Sequence, residues 1–258
     1  MTIEGRVVLI TGAAGGIGRV LCKMFSELGD RVAGIDVVEP LKIHGTAITL
    51  QADVTNSEQI EHSIEKVIQT LGPIDVLINN AGAADDTPFE KLTHESWDHD
   101  VQLVLRGNYL TQRYIIPHMV KQGKGGSIVN IGSVNGHTYL GSPAYSAAKA
   151  GLENLTKALA VRYGPLGIRV NVCAPGTVWS PAWDERVKKH PDINERMKRW
   201  YPVGRLGTPE DVSRAVIFLA DSKNSFITGT TLYVDGGLLA GNPCLIEDIY
   251  SENNDFSI

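Results

Sequence analysis

Cysteine is scarce in this chain of 258 residues. The only three, Cys22, Cys173 and Cys244, are far apart, and no CxxC pair occurs. A disulfide framework needs an even set of cysteines, and common zinc sites need closely spaced cysteine pairs. The sequence therefore predicts reduced thiols, a cytoplasmic protein and no metal site.

Long apolar runs are also missing. No stretch approaches the ~20 apolar residues that a membrane span requires. Residues 1–6 contain an early acid and are not followed by the apolar core of a signal peptide. We therefore expect no membrane partner.

Positive charge is in deficit, since 24 Lys and Arg face 29 Asp and Glu for a net charge of −5. Residues 224–258 contain no Lys or Arg, and the remainder is close to neutral. The acids of that last segment are Asp235, Glu247, Asp248, Glu252 and Asp255. No basic surface for nucleic acid is indicated.

Apolar residues make up 43% of the chain, which is enough for one large α/β core. Strand-like and helix-like runs alternate, which predicts a Rossmann-like, doubly wound, seven-stranded parallel sheet with helices on both faces. The predicted strands are 7–11, 31–36, 47–53, 76–79, 127–131, 169–174 and 231–234. The predicted helices are 16–28, 55–71, 93–121, 144–163 and one that begins at Thr208.

Finer features accompany these elements. Thr55 and Glu58 have the spacing of a capping box, and the helix 93–121 should bend near Gly107. The connection around Pro40 is too short for a full crossover helix. We predict one domain over residues 1–241, with a charged, irregular substrate lid at 177–207 and a tail at 242–258.

A glycine-rich loop joins the first strand to the first helix. Backbone N–H groups at a helix N-terminus bind phosphate when no side chain obstructs them. Glycine loops alone are also typical of plain turns, but here Asp36 ends the second strand about 20 residues on, where a carboxylate binds adenosine ribose hydroxyls. Its charge would repel a 2′-phosphate, and Val37-Val38 supplies no cation, so NAD is predicted over NADP. The residues concerned are Gly12, Gly15, Gly16, Ile17 and Gly18.

Seven motifs follow one another in a consistent order. They are Gly12-xxx-Gly16-x-Gly18, Asp53-Val54, Asn79-Asn80-Ala81-Gly82, Ser133, Tyr145-xxx-Lys149, Pro175-Gly176 and Tyr233-Val234-Asp235-Gly236-Gly237. This series resembles the short-chain dehydrogenase/reductase family over about residues 5–238.

The resemblance implies further cofactor contacts. Asp53 and Val54 would lie against the adenine, and the Val178 backbone with the Ser180 hydroxyl would hold the nicotinamide carboxamide. Asn79 is open to two readings, as part of the cofactor cleft or as a tie between neighbouring strands. The other implied cofactor residues are Asn80, Ala81, Gly82, Tyr145, Lys149, Pro175 and Gly176.

Tyr145 and Lys149 lie one helical turn apart on the same face. Moving a hydride between NAD and a secondary alcohol or ketone requires a group that exchanges the hydroxyl proton. A free tyrosine has a pKa near ~10, and a nearby ammonium favours the phenolate. Ser133 would donate a hydrogen bond to the substrate oxygen.

One position departs from the family pattern. Counting from Trp97 and Gly107, the residue where many members carry a further catalytic Asn is Val104. Valine cannot bind the water that links lysine to solvent in the family. Asn108, one turn further on, is a candidate substitute, and the alternatives are a different proton path or a shifted optimum.

Substrate contacts are expected from two segments. Past Ser133 the candidates are Asn135, His137 and Tyr139, and in the lid they are Trp179 and Trp183. Asp85 and Asp86 are further candidates. Polar groups suit a hydroxylated substrate such as a sugar or polyol, and aromatic groups suit a ring.

Two other readings stay open, a non-catalytic NAD-binding protein and an epimerase or dehydratase on the same scaffold.

Helices 93–121 and 144–163 are apolar over more than one face. The family resemblance implies that they form a subunit interface, commonly in a homotetramer. The tail combines apolar residues with acids, which predicts packing on a neighbouring subunit or near its lid rather than a frayed end.

Overall fold

The sheet has seven parallel strands, as predicted, and their order is β3-β2-β1-β4-β5-β6-β7. The structure is a computed structural model that describes residues 5–38, 42–84 and 87–250, with the side chains of 181 and 182 excepted. The strands are β1 Val7–Thr11, β2 Arg31–Asp36, β3 Thr46–Gln51, β4 Val76–Asn79, β5 Gly126–Ile131, β6 Ile168–Pro175 and β7 Thr231–Val234. The connection around Pro40 lies outside the described residues.

Strand β1 occupies the centre of the fold. Val8 pairs with Val32 of β2 on one side and with Val76 of β4 on the other. The chain thus runs outward from β1 in both directions, which leaves a crevice at the carboxyl ends of β1 and β4 where the strand order reverses. Ligands of such sheets bind in this crevice.

Helices cover both faces of the sheet. Their bounds are α1 Gly16–Glu27, α2 Ser57–Leu71, α3 His94–Val101, α4 Gly107–Gln122, α5 Pro143–Tyr163, α6 Pro181–Lys189, α7 Ile193–Lys198, α8 Pro209–Ala220 and α9 Pro243–Tyr250. Side chains of a strand alternate between faces. Val7 and Leu9 therefore join the core under α2, α4 and α5, and Val8 and Ile10 join the core under α1 and α8.

The start of α2 differs from its prediction. Asn56, not Thr55, caps the helix by accepting a hydrogen bond from the Gln59 N–H at 3.1 Å. Thr55 instead donates its hydroxyl to Asp53 Oδ1 at 2.8 Å. The capping box fails because an asparagine one residue later offers an equally good acceptor.

The predicted helix 93–121 is divided in the structure. A single π-helical turn, Gln102–Arg106, separates α3 from α4. The turn ends where the bend was expected, at Gly107, whose missing Cβ would lie 2.9 Å from Val54 Cγ2. Such turns add a residue to the helix and shift the faces that follow.

Two segments are more regular than predicted. Residues 177–207 contain α6 and α7, and the tail contains α9. Ser180 accepts a hydrogen bond from the Trp183 N–H before a first-turn proline. The same signal led to the correct prediction of α8 at Thr208-Pro209, so α6 was detectable. Within the described residues, no helix combines the length and apolarity that crossing a bilayer requires.

Candidate active site

A cleft of about 580 Å³ lies at the carboxyl ends of the central strands. Most residues predicted for cofactor and catalysis line it together. They are Gly12, Gly15, Gly16, Ile17, Asp36, Val54, Asn80, Ala81, Gly82, Ser133, Tyr145, Lys149, Pro175, Gly176, Val178 and Ser180.

The glycine loop is shaped by close backbone approach. Gly12 has a φ of +63°, and a Cβ there would lie 2.8 Å from the Ala81 Cα. A Cβ on Gly18 would overlap the Gly12 carbonyl oxygen, so Gly18 serves packing and does not line the cleft. Helix α1 begins without a side-chain cap and without an acid in its first turn. The loop therefore fits a dinucleotide, because its N–H groups and positive dipole end are left for a phosphate.

Asp36 connects the loop to the end of β2. Its carboxylate accepts hydrogen bonds from the Ala14 N–H at 2.8 Å and the Val38 N–H at 3.1 Å. Each carboxylate oxygen has a further lone pair for an external donor. The residue thus offers a fixed negative charge and hydrogen-bond acceptors at one end of the cleft.

Asp53, unlike Asp36, has a carboxylate that is bonded to a neighbouring residue of its own loop. Its Oδ1 accepts hydrogen bonds from the backbone N–H and the hydroxyl of Thr55, both at 2.8 Å. The neighbouring Val54 lines the cleft, but Asp53 does not. Contact of Asp53 with the adenine stays a prediction.

The two asparagines after β4 have separate roles. Asn80 donates its amide to the Thr11 and Gly12 carbonyls at 3.0 and 2.9 Å, which ties the two loops together. Asn79 is buried and donates to Asn130 Oδ1 at 2.9 Å, between neighbouring strands. The strand-tying reading of Asn79 is the one that this contact supports.

Ser133, Tyr145 and Lys149 meet at the floor of the cleft. All three line it, and Lys149 Nζ lies 5.4 Å from the Tyr145 ring centroid. Burial raises the pKa of Tyr145 to about 12, against a lowering effect of Ser133 and with a further raising effect of Asp100. Burial lowers the pKa of Lys149 to about 8. The lysine donates to the Ile131 carbonyl at 2.5 Å.

Val104 presents a methyl group to this site. A Cβ on Gly82 would lie 3.9 Å from Val104 Cγ2 and 3.7 Å from Lys149 Nζ. Asn108, the candidate substitute, donates its amide to the Val104 carbonyl at 2.6 Å. Its N–H group is therefore turned to its own helix.

Among the described residues, those predicted to contact substrate do not line the cleft. Asn135 braces its loop by donating to the Gly141 carbonyl at 3.0 Å and the Ser146 hydroxyl at 3.2 Å. His137 packs edge-on against Tyr233, with ring centroids 5.4 Å apart. Tyr139 is exposed.

The two lid tryptophans that were predicted to contact substrate differ in their exposure to solvent. Trp183 is 8% exposed and packs with Tyr201 and Leu206, and its indole N–H donates to Asn194 Oδ1 at 2.8 Å. Trp179 is 39% exposed. Asp85 and Asp86 lie outside the described residues.

Some lining residues escaped the sequence analysis. Val37 and Ala83 directly follow predicted positions, so their neighbours were the available signal. Leu103 also lines the cleft, but it lies in the π-helical turn, whose orientation no sequence pattern indicates. The described residues hold no cluster of His, Cys, Asp or Glu suited to a metal ion.

Comparison with known proteins identifies the family. The family described as enoyl-(acyl carrier protein) reductase matches residues 12–239. An uncharacterized oxidoreductase of Schizosaccharomyces pombe is 87% identical over 256 residues and covers 99% of each chain.

Solved structures support the same family assignment. An oxidoreductase of the short-chain dehydrogenase/reductase family from Burkholderia thailandensis has a TM-score of 0.90 at 39% identity, covering 97% of this chain and 99% of that one. The ligand-free aldohexose dehydrogenase of Thermoplasma acidophilum has a TM-score of 0.87 at 33% identity, covering 93% and 96%. The chain therefore belongs to the short-chain dehydrogenase/reductase family and is an oxidoreductase that uses a nicotinamide cofactor.

Proposed function

We propose that this protein interconverts a secondary alcohol and a ketone with NAD as cofactor. The observation that carries the proposal is the meeting of Ser133, Tyr145 and Lys149 in the cleft that Asp36 closes at its other end. Bound nicotinamide supplies the chemistry of accepting or giving a hydride. The side chains have to hold the substrate oxygen and exchange its proton.

Tyr145 is the acid/base in this proposal. With its pKa raised to about 12, its hydroxyl is protonated at neutral pH and suited to donate to a carbonyl oxygen. Ser133 donates a second hydrogen bond to that oxygen and so stabilises the negative charge that develops on it. Lys149 places a cation beside the phenol and favours the phenolate when an alcohol is oxidised.

Asp36 supports NAD rather than NADP. Its carboxylate has acceptor capacity for ribose hydroxyls, and its charge would repel a phosphate at the same place. The ratio of kcat/KM for the two cofactors tests this choice, and we expect NAD to be strongly preferred. Asp36→Asn keeps a hydrogen-bond acceptor but removes the charge. In this variant the ratio of kcat/KM for NAD to that for NADP should fall. Equal values for the unmodified protein would refute the choice of NAD.

A hydroxylated substrate, such as a sugar or polyol, is the proposed class. The likeness to an aldohexose dehydrogenase supports it. A panel of sugars, polyols and simple secondary alcohols with NAD, followed by absorbance of the reduced cofactor, tests reaction and class together. Binding of NAD without turnover on any member would favour a non-catalytic protein, and isomerised product without net cofactor reduction would favour an epimerase.

Residues 177–207 form the proposed substrate lid on a single domain of residues 1–241. Val178 and Ser180, at its start, line the cleft. Tyr201 accepts a hydrogen bond from the Thr177 N–H at 2.9 Å, which ties the end of the lid to its beginning. These contacts support a lid that is anchored at the cofactor and closes over the substrate.

We also propose that the protein is a homotetramer in the cytoplasm. A groove of about 200 Å³ lies between α4 and α5, the helices assigned to the subunit interface. Its apolar lining includes Ile116, Leu155 and Leu159, and Tyr109 and Tyr163 also line it. Light scattering measures the subunit count.

A further inference from the structure

The loop between β5 and α5 begins near Ser133 and ends at the helix that carries Tyr145. Ser133 is 8% exposed, and its hydroxyl oxygen accepts a hydrogen bond from the Asn135 N–H at 3.2 Å. One lone pair of this hydroxyl is therefore used by the loop itself. What Ser133 can do for a substrate then depends on where its single proton points.

The side-chain amide of Asn135 has one orientation that satisfies its neighbours. One of its two polar atoms lies 3.0 Å from the Gly141 carbonyl oxygen, which can only accept a hydrogen bond. That atom is therefore the NH₂ group, and it also donates to the Ser146 hydroxyl at 3.2 Å. Ser146 in turn donates to the same Gly141 carbonyl at 2.9 Å, which leaves its lone pairs to accept. Both amide protons of Asn135 are thus used.

The oxygen of the same amide consequently faces Ser133. Ser133 Oγ lies 3.3 Å from Asn135 Oδ1. Because an amide oxygen cannot donate, the serine hydroxyl is the donor, and its proton is directed at Asn135. The distance exceeds the ~2.7–2.8 Å that is typical of O–H···O hydrogen bonds, so this bond is weak and is readily exchanged for one to a substrate oxygen.

Asn135 is firmly anchored on its other side. The residue after its partner Gly141 is Ser142, which has a φ of +50°, an uncommon conformation for a residue with a side chain. The loop also packs closely on α5, since a Cβ on Gly136 would lie 3.1 Å from the Lys149 carbonyl carbon. The amide of Asn135 is therefore held at a fixed place relative to the catalytic helix.

We propose that Asn135 is a positioning residue, whose side-chain amide holds the Ser133 hydroxyl in place for donation to the substrate oxygen. The inference rests on the proposed function, because Asn135 acts through the role of Ser133 in that reaction. A loose acceptor at 3.3 Å gives up the serine proton more easily than a water molecule at ordinary hydrogen-bond distance does. By filling this place, the amide keeps such a water away from Ser133. The role differs from the direct substrate contact that the sequence predicts for Asn135.

A double-mutant cycle between Asn135 and Ser133 tests the coupling. Asn135→Ala should lower kcat about tenfold with the substrate that the panel identifies, because the serine hydroxyl loses its fixed orientation, and KM for NAD should not change. Ser133→Ala should lower kcat about 10²-fold. In the double variant kcat should equal that of Ser133→Ala, because no hydroxyl is left to orient. An amide that serves stability alone would add its own loss.

Matched variants separate this role from general stability. Asn224→Ala removes an amide that donates to the Phe218 carbonyl at 2.7 Å and does not line the cleft, so it should leave kcat unchanged. Asn135→Ser also lacks the amide and suits a turn, and it gives the same cycle if the alanine variant does not fold. Circular dichroism and thermal melting check the fold of each variant.

Neutron diffraction from crystals of the unmodified protein in D₂O locates the serine deuterium without any turnover. We expect it between Ser133 Oγ and Asn135 Oδ1. A deuterium directed elsewhere overturns the inference, and so do losses of kcat that multiply in the double variant or an equal loss in Asn224→Ala. If NAD binds but no alcohol or ketone is turned over, the proposed function fails, and the position of the deuterium still decides whether Asn135 orients Ser133.

Discussion

The cofactor cleft and the substrate lid border the same space but are held in different ways. The cleft is formed by loops that leave fully buried strands, and its shape depends on backbone contacts such as those of Gly12 with Ala81. The lid rests on a small core of its own around Trp183, Tyr201 and Leu206. Local stability follows the number of buried apolar contacts, so the cleft should stay rigid under conditions in which the lid opens.

The largest effect should come from a change confined to the cleft. Tyr145→Phe removes the ionisable hydroxyl but keeps the ring. We expect a loss of turnover of about 10²-fold or more, with NAD affinity and thermal midpoint retained. Steady-state kinetics, cofactor titration and thermal melting check this, and activity above a tenth of the unmodified level would assign the acid/base to another residue.

A change confined to the lid should separate the two regions. Trp183→Ala empties the centre of the lid core and removes the bond to Asn194, a local cost of about 3 kcal/mol or more. We expect faster trypsin cleavage within α6 and α7 and a higher KM, while cofactor affinity is kept. Trp179→Ala, at an exposed tryptophan, is the matched control. Equal protease sensitivity of both variants would contradict a separate lid core.

Val104→Asn tests whether the cleft wall beside Lys149 excludes water. Val104 is 0% exposed, so an amide there loses hydrogen bonds to water and should lower the free energy of unfolding by about 1–3 kcal/mol. Val104→Thr, close to isosteric, controls for shape. Denaturant unfolding measures the change. Unchanged stability with an altered pH profile would show instead that a proton relay fits at this position.

The smallest effect should follow truncation after Gly241. Helix α9 touches the lid through Cys244, whose Sγ lies 3.4 Å from the Arg199 carbonyl, and it exposes Leu245, Ile246 and Ile249. If this face meets the lid or a neighbouring subunit, truncation should raise KM and lower the thermal midpoint or subunit count. Steady-state kinetics, thermal melting and light scattering measure these three quantities. If none of them changes, the tail is a frayed end.

The strands and the cleft show why much of the fold could be predicted. Val7–Thr11, Arg31–Asp36, Val76–Asn79 and Thr231–Val234 have the predicted bounds. Continuous apolar runs between turn residues favour buried parallel strands whatever surrounds them. Residues at the carboxyl ends of such strands share one edge, which is why the motifs that follow them line one cleft.

The lid was harder to predict for a physical reason. Its helices are short and mostly polar on the outside, so no long apolar period marks them. Trp183 was expected at the substrate, but a large apolar ring is equally suited to a small core. Only the positions of Tyr201 and Leu206 decide between these two uses.

The sequence by itself determined most of the strands, the glycine loop, the Asp36 position and the Tyr145–Lys149 pair, because each depends on local backbone geometry or on spacing along one element. Tertiary structure decided what the remaining polar residues do. Asp53 turns to Thr55 and Asn108 turns to its own helix. Asp100 is buried where α3 packs on α5, although Asp98 and His99 beside it are exposed. A polar side chain can bond within its own segment or to an element that packs against it, and spacing along the chain does not show which of the two occurs.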